Sequence, residues 1–338
     1  MRSDTLTMPS KEMRRAMADA ELGDDVFGED PTINRLQEMA AERLGKEAAL
    51  FVSSGTLGNL IGILVSARSG QEVIADADSH VFQSEAAGAA TLGGIQIMPV
   101  RTDAGIMTPG QIANAVRTDD QHHPHTAAVT LENTHNRHGG VAWPLKELRA
   151  AADEAHRNGL VVHLDGARLF NAALATGTDV KEFAACADTV SFCLSKGLAA
   201  PAGSVLVGPA QKIAEARRWR KMLGGGMRQV GMLGAAGIFA LDHMVDRLAE
   251  DHANAQTLAE GLAEIEGIDI DLSRVQTNLV IFEPGKMPVP RFLEECRKLG
   301  LKGSSSGRTR VRLVTYYGID SESVQHALKV VSAVLSAG

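Results

Sequence analysis

Residues 191–197 read Ser191-Phe192-Cys193-Leu194-Ser195-Lys196-Gly197, and an earlier stretch reads Asp165-Gly166-Ala167-Arg168. Each stretch lies at the end of an apolar segment typical of a buried strand, so an amine and a carboxylate are expected at two strand ends. The separation between Asp165 and Lys196 leaves room for a crossover and a second strand, which would bring both side chains to one edge of a parallel sheet. A lysine can form a Schiff base with an aldehyde cofactor, while an aspartate can keep a pyridinium nitrogen protonated. The pair therefore favours pyridoxal phosphate chemistry over a solvated lysine beside a structural aspartate.

A third segment predicts a phosphate site. Residues 48–52 have the pattern of a strand, and residues 60–67 that of an apolar helix. Between them, Ser54, Gly55 and Thr56 form a turn whose backbone N–H groups would be unpaired at the start of the helix. The turn lacks the glycine-rich patterns that indicate dinucleotides or nucleoside triphosphates, so alone it is also typical of an ordinary helix start.

The order of the predicted elements indicates an α/β fold. Strand-like segments at residues 72–75, 127–131, 161–164, 189–193 and 204–207 are mostly separated by helix-like stretches, as in a mainly parallel sheet. Helices are predicted over residues 32–44, with Asp30 as the N-cap, and over residues 145–158. After Gly267 the pattern changes to a compact α+β arrangement, with a strand at residues 279–282, a helix at 290–299, a strand at 310–314 and a final helix from 321. We predict a large cofactor-binding domain over residues 1–245, with its N-terminal segment reaching the site, and a small C-terminal domain over residues 246–338.

Bulk properties narrow the classes of partner. The 338 residues carry a net charge of −7 and are 44% hydrophobic, which gives no electrostatic reason to bind nucleic acid or an anionic membrane. The longest apolar run, residues 230–241, is too short to cross a bilayer. Charges at Asp4, Lys11 and Glu12 argue against a signal peptide, so we expect a cytoplasmic protein, and the net charge favours a small-molecule partner. Three cysteines without paired spacing predict reduced thiols.

Histidines crowd one region, at positions 122, 123, 125, 135 and 138. Their spacing is not that of a zinc motif, and Pro124 interrupts the run, so no metal is expected from the sequence.

Several further motifs stand in the order found in one family of enzymes. They are Arg2-Ser3-Asp4-Thr5, Gly23-Asp24-Asp25-Val26-Phe27-Gly28, Asp78-Ser79-His80, Glu132-Asn133-Thr134-His135-Asn136, Gly224-Gly225-Gly226-Met227-Arg228-Gln229 and Val311-Arg312-Leu313-Val314-Thr315. With the two strand-end motifs and Ser54-Gly55-Thr56, the chain resembles the low-specificity L-threonine aldolases over nearly its whole length. These belong to the aspartate aminotransferase-like superfamily, so the resemblance implies fold type I and pyridoxal 5'-phosphate as cofactor.

The resemblance also implies roles for single residues. Lys196 would hold the cofactor and Asp165 its ring nitrogen, while Arg168, Arg312 and Ser3 would orient the substrate carboxylate, a task for which an arginine fork is suited. His80 would stack on the cofactor ring, and His122 would lie near the substrate side chain. Either histidine, or a water molecule, could serve as the base.

Two basic residues flank the glycine run at positions 224–226. The resemblance brings Lys221 and Arg228 to an active site, with Arg228 entering the neighbouring subunit's pocket near the cofactor phosphate, in a dimer within a homotetramer. Phe27 departs from the family, whose members often carry tyrosine there, so a hydrogen bond from that ring is in doubt.

The implied reaction is reversible cleavage of L-threonine or L-allo-threonine to glycine and acetaldehyde. The cofactor residues alone would also allow phenylserine cleavage, β-elimination or transamination. A pyridoxal phosphate-binding module of a transcription regulator is disfavoured, because no helix-turn-helix region precedes the large domain.

Overall fold

The computed structural model describes residues 1–336. Its strands are β1 (Ala48–Val52), β2 (Glu72–Asp76), β3 (Gln96–Val100), β4 (Thr126–Glu132), β5 (Val161–Asp165), β6 (Thr189–Cys193), β7 (Ser204–Gly208), β8 (Leu279–Phe282), β9 (Ser304–Ser306) and β10 (Arg310–Val314). Its α-helices are α1 (Lys11–Ala18), α2 (Pro31–Leu44), α3 (Gly55–Leu64), α4 (His80–Gln83), α5 (Gly88–Gly93), α6 (Pro109–Ala115), α7 (Leu145–Arg157), α8 (Leu169–Thr176), α9 (Val180–Ala185), α10 (Ala210–Met222), α11 (Gly231–His243), α12 (Leu248–Ala263), α13 (Val289–Lys298) and α14 (Ser321–Ser336).

Seven strands form the large sheet, in the order β1-β7-β6-β5-β4-β2-β3. Strands β2 to β6 run parallel to one another, while β7 is antiparallel to both β6 and β1. All strands except β7 therefore point the same way, and their carboxyl ends meet at one edge. The predicted α/β class is confirmed, because helices lie in the connections between the parallel strands β2 to β6.

Local sequence explains where the helices begin and end. Asp30 caps α2 by accepting a hydrogen bond from the backbone N–H of Ile33, and Pro31 occupies the first turn. Gly45 ends the same helix in the left-handed conformation, with φ of 62°. The predicted helices at α2 and α7 are thus confirmed to within a residue of their bounds.

Two strands were not predicted from the sequence. Strand β3 contains Pro99 and lies at the edge of the large sheet, where a missing backbone donor is tolerated. Strand β9 consists of three serines and pairs only with β10. Strand β9 has no apolar residue to indicate a strand, and Pro99 argues against one at β3, although Ile97, Met98 and Val100 pack against the core.

A second core forms around the three-stranded sheet β8-β10-β9. It gathers buried side chains from α12, α13 and α14, beginning at Ala255, and Met1 packs against it. Helix α12 serves both cores, since Leu248 in its first turn belongs to the core of the large sheet. The predicted domain boundary at residues 245/246 lies just before this shared helix and stays a prediction.

Among the described residues, no helix has the length and apolar character needed to cross a membrane.

Candidate active site

A cavity of about 230 Å³ opens at the carboxyl edge of the large sheet. Its lining includes Gly55 after β1, His80 after β2, Glu132 at the end of β4, Asp165 at the end of β5, and Lys196 beyond β6. Parallel strands bring their carboxyl ends together, which is why residues so distant in the chain share this cavity. The structure thus brings together the lysine and the aspartate on which the sequence argument depends.

Asp165 is held by its neighbours in one orientation. The side chain is buried, its Oδ2 accepts a hydrogen bond from the Asn59 amide at 2.8 Å, and its Oδ1 accepts one from the backbone N–H of Ala167 at 3.1 Å. The Asn59 carbonyl oxygen in turn accepts a hydrogen bond from Ser191 Oγ at 2.5 Å. Such a network fixes a carboxylate for a partner in the cavity.

The predicted phosphate turn caps α3. Ser54 Oγ accepts a hydrogen bond from the backbone N–H of Leu57 at 3.1 Å, and Gly55 and Thr56 line the cavity in the first turn. A Cβ at Gly55 would lie 2.8 Å from Cys193 Sγ, so a larger residue here would clash at the cavity wall. Unpaired N–H groups at the start of the ten-residue helix α3 suit a phosphate.

His80 is paired with an acid that the sequence did not single out. Its Nδ1 lies 2.7 Å from Glu85 Oε1, and the same Glu85 oxygen accepts a hydrogen bond from the Asn59 amide at 2.8 Å. The hydrogen bond to Glu85 raises the pKa of His80, while burial raises the pKa of Glu85. Both shifts agree with a proton held between the two groups, which leaves Nε2 of His80 for the cavity.

The two predicted carboxylate-binding arginines differ in their partners. Arg168 lines the cavity but is engaged with buried Asp4. Arg312, on β10, donates from Nη1 to Asn136 Oδ1 at 2.9 Å, and its buried Nε has no hydrogen-bond partner among the described residues. Burial, together with the neighbouring Arg168 charge, lowers the pKa of Arg312. Arg312 therefore keeps donor capacity for an anion.

Six predicted site residues do not line the cavity. Ser54 and Arg312 each adjoin a residue that does, Gly55 and Asn136 respectively. The other four are Ser3, Lys221, Arg228 and His122. Ser3 lies near the cavity, capping a short 3₁₀ turn whose Thr5 does line it. Lys221 and Arg228 are exposed at α10 and the loop beyond, where Arg228 Nη1 donates to Asp24 Oδ2 at 2.9 Å and its guanidinium lies 5.9 Å from the Phe27 ring centroid.

His122 is the fourth. It precedes β4, at the opposite edge of the sheet, and it is exposed and paired with Asp120 at 2.6 Å. A seven-residue strand spans about 23 Å, so His122 of this chain does not reach this chain's cavity.

Sequence reasoning missed five polar residues of the site: Asp4, Asn59, Glu85, Glu132 and Asn136. Asp4, Glu132 and Asn136 lie within the family motifs quoted above, but only neighbouring residues of those motifs were predicted to act. Asn59 and Glu85 gave no signal, because only the folded chain brings Asn59 to the cavity and Glu85 into contact with His80.

The site fits pyridoxal 5'-phosphate on its own chemistry. A lysine amine, an oriented buried carboxylate and an open helix start surround one cavity, matching the aldehyde, the ring nitrogen and the phosphate of that group.

Fold and cavity together define a pyridoxal phosphate enzyme, and the chain belongs to the β-eliminating lyase family, whose family model matches residues 1–284. It is 44% identical to the "Probable low-specificity L-threonine aldolase 2" of Arabidopsis thaliana, over 97% of this chain and 94% of the relative. It is 43% identical to the "Low specificity L-threonine aldolase" of Escherichia coli K12, over 96% of this chain and 95% of the relative. The chain is thus one of the low-specificity L-threonine aldolase group, as its motifs predicted.

Solved structures agree on the fold. A threonine aldolase of Leishmania major superposes with a TM-score of 0.83 at 21% identity, covering 99% of this chain and 98% of that one. A serine palmitoyltransferase of Sphingomonas wittichii gives a TM-score of 0.77 at 19% identity, with 96% and 82% covered. The predicted fold type I architecture is confirmed.

Proposed function

We propose that this protein is a pyridoxal phosphate-dependent aldolase that cleaves the Cα–Cβ bond of L-threonine and L-allo-threonine, giving glycine and acetaldehyde, and that also catalyses the reverse reaction. The observation that carries the proposal is the meeting of Lys196, Asp165 and His80 in one cavity of a chain with such close aldolase relatives.

The residues divide the work of holding the reactants. Lys196 would bind the cofactor aldehyde, Asp165 would hold the ring nitrogen, and the N-terminal turn of α3 at Ser54, Gly55 and Thr56 would receive the phosphate. There the cofactor would supply an electron sink for the pair that the breaking Cα–Cβ bond leaves on the glycine carbon. Arg312, close to Arg168 and Asn136, orients the substrate carboxylate.

His80 is the base that the geometry favours within one chain. With Nδ1 held by Glu85, its Nε2 can accept the proton of the substrate β-hydroxyl, and loss of that proton lets the hydroxyl carbon become the aldehyde. Glu85 acts through His80 and is a positioning residue.

The exposed predicted residues support an assembly in which sites are shared. His122, Lys221 and Arg228 are exposed on the single chain, so a neighbouring subunit can present a cavity to them. A homotetramer of catalytic dimers, with Arg228 near a neighbour's phosphate site, would use them. The three cysteines are free and buried, which suits a reducing, cytoplasmic setting.

Product analysis tests the reaction. Purified holoenzyme is incubated separately with L-threonine, L-allo-threonine, phenylserine and L-serine, and acetaldehyde, benzaldehyde, glycine, keto acid and ammonia are assayed. We expect glycine and acetaldehyde in equal amounts from the threonines, and no turnover by Lys196→Ala. Keto acid with ammonia as the main products would instead establish β-elimination, the second candidate that the family description favours, and keto acid without ammonia would indicate transamination.

A covalent test identifies the lysine. Borohydride reduction of the holoenzyme should fix the cofactor to the peptide that contains Lys196. Recovery of the label on any other lysine would refute the assignment.

A further inference from the structure

A second cluster of chemically active side chains lies beside the cavity and does not line it. Asp76 ends β2, while His135 and His138 stand in the turn after β4. One ligand atom of each residue lies within 4.8 Å of the other two. The Asp76 and His135 side chains are 7% and 0% exposed, and that of His138 is 14% exposed.

The spacing of the donor atoms suits a shared ion. His135 Nε2 is 3.1 Å from Asp76 Oδ1. Ligands about 2.0–2.1 Å from a tetrahedral ion lie about 3.3 Å from each other, so these two atoms need to move little to share one. Asp78 provides a fourth donor, because its Oδ2 lies 3.6 Å from His138 Nε2.

One donor of the cluster has no protein partner. His138 Nε2 is buried and accepts or donates no hydrogen bond among the described residues, although its neighbours Asp76 and Asp78 are both acidic. A buried polar atom without a partner is costly. Coordination by a cation would satisfy it.

The surroundings also resemble the support that metal ligands receive. Asp76 Oδ2 accepts a hydrogen bond from Thr102 Oγ1 at 2.5 Å, and Asp76 Oδ1 accepts one from the backbone N–H of Asp78 at 2.7 Å. Hydrogen bonds of this kind fix the orientation of a ligating carboxylate.

We propose that Asp76, His135 and His138, with Asp78 as fourth ligand, form a site for a divalent transition metal of the Zn²⁺ class. Two imidazoles with carboxylate oxygens are the donor set that Zn²⁺ and Co²⁺ accept, whereas Ca²⁺ and Mg²⁺ require oxygen ligands throughout. The sequence does not indicate this site, because Asp76 and Asp78 lie at the end of β2 whereas the two histidines follow β4.

The ion would join the two segments that form one wall of the active-site cavity. Asp78 lies two residues before His80, and the backbone N–H of His80 donates to Glu132 Oε2 at 2.6 Å. Glu132 Oε1 accepts from the backbone N–H of Asn136, in the turn that carries the histidines. The role assigned to the metal is structural, and it is independent of the reaction proposed above.

Metal binding is measured directly, on holoenzyme first treated with a chelator. Titration with Co²⁺ should give visible absorption of tetrahedral intensity that saturates at one ion per chain, and Zn²⁺ should displace it. Zn²⁺ should also raise the midpoint of thermal unfolding. His138→Ala and Asp78→Asn, which change the less buried ligands, should each weaken Co²⁺ binding at least tenfold. His123→Ala is the matched control, because His123 is an exposed histidine that precedes β4, outside the cluster.

The alternative is that the cluster is only a hydrogen-bonded His135–Asp76 pair with the His138 ring packed edge-on at 4.7 Å. In that case the parent binds no stoichiometric Co²⁺, or binds it equally well after His138→Ala, and either result overturns the proposal. Circular dichroism and retained cofactor absorbance show that each variant is folded.

Discussion

Arg168 is bound by Asp4 through two hydrogen bonds, Nε to Oδ2 at 2.6 Å and Nη2 to Oδ1 at 2.8 Å. Burial opposes ionisation of Asp4, but the charge and hydrogen bonds of Arg168 outweigh it and hold the pKa of Asp4 well below its usual value. The guanidinium fork expected to bind the substrate is therefore occupied, largely, by a carboxylate of the protein itself. The N-terminal segment reaches the site by this contact.

Removing that carboxylate should destabilise the protein. Asp4→Ala leaves a buried guanidinium without its counter-charge, for which a loss of about 3–5 kcal/mol in the free energy of unfolding is expected. Denaturant unfolding of the two proteins measures it. Asp19→Ala is the control, because the Arg15–Asp19 pair is exposed and should contribute below about 1 kcal/mol. Equal stability of Asp4→Ala and the parent would show that Asp4 is not the counter-charge on which buried Arg168 depends.

Arg312 should dominate recognition of the substrate carboxylate. A hydrogen bond to a charged group contributes about 1.5–3 kcal/mol, so Arg312→Ala should lower kcat/KM for L-threonine about 10- to 100-fold, mainly through KM. Arg310→Ala, two residues earlier on the same strand, is the matched control. Unchanged kinetic constants in Arg312→Ala would pass the role to Arg168.

His163 should make stability depend on pH. Burial lowers the pKa of His163 to about 4, against 6.5 for the free group, so the unfolded chain binds a proton more readily than the native one between these values. Stability must then rise with pH from about 4 to about 6.5 and stay level above, with up to about 3 kcal/mol from this residue. His163→Gln should reduce the slope in that window, whereas exposed His326→Gln is the control. If stability rises equally steeply with pH in the parent and in His163→Gln, His163 is not the cause of the pH dependence.

Mixing damaged chains tests whether sites are shared. If Arg228 acts in a neighbouring subunit, a hybrid of Arg228→Ala and Lys196→Ala chains contains one intact site, which receives Lys196 from the first chain and Arg228 from the second. Activity should then return on co-refolding, with up to about half of the sites in each hybrid dimer working. Verified hybrids as inactive as their parents would place Arg228 at its own chain's site.

The sequence predicted those parts of the molecule that repeat a local pattern. Apolar strands, helix caps such as Asp30, and the strand-end residues Asp165 and Lys196 were all visible, and the structure brings the last two to one cavity. What escaped prediction depends on contacts between distant segments. No repeating pattern or motif spacing in the sequence indicates three of these contacts. They join Asp4 to Arg168, His80 to Glu85, and His138 to Asp76.

The contacts of the N-terminal residues also limit how early the active site can form while the chain is being synthesised. The backbone carbonyl of Met1 accepts a hydrogen bond from Val314 N–H, and Asp4 Oδ2 accepts one from the Asn278 amide as well as from Arg168. A chain that leaves the ribosome from its N-terminus therefore exposes Asp4 long before its partners exist. The large sheet can assemble first, but the pocket gains its full set of contacts only once β10 has emerged. Catalytic competence is thus one of the last properties that the nascent chain acquires.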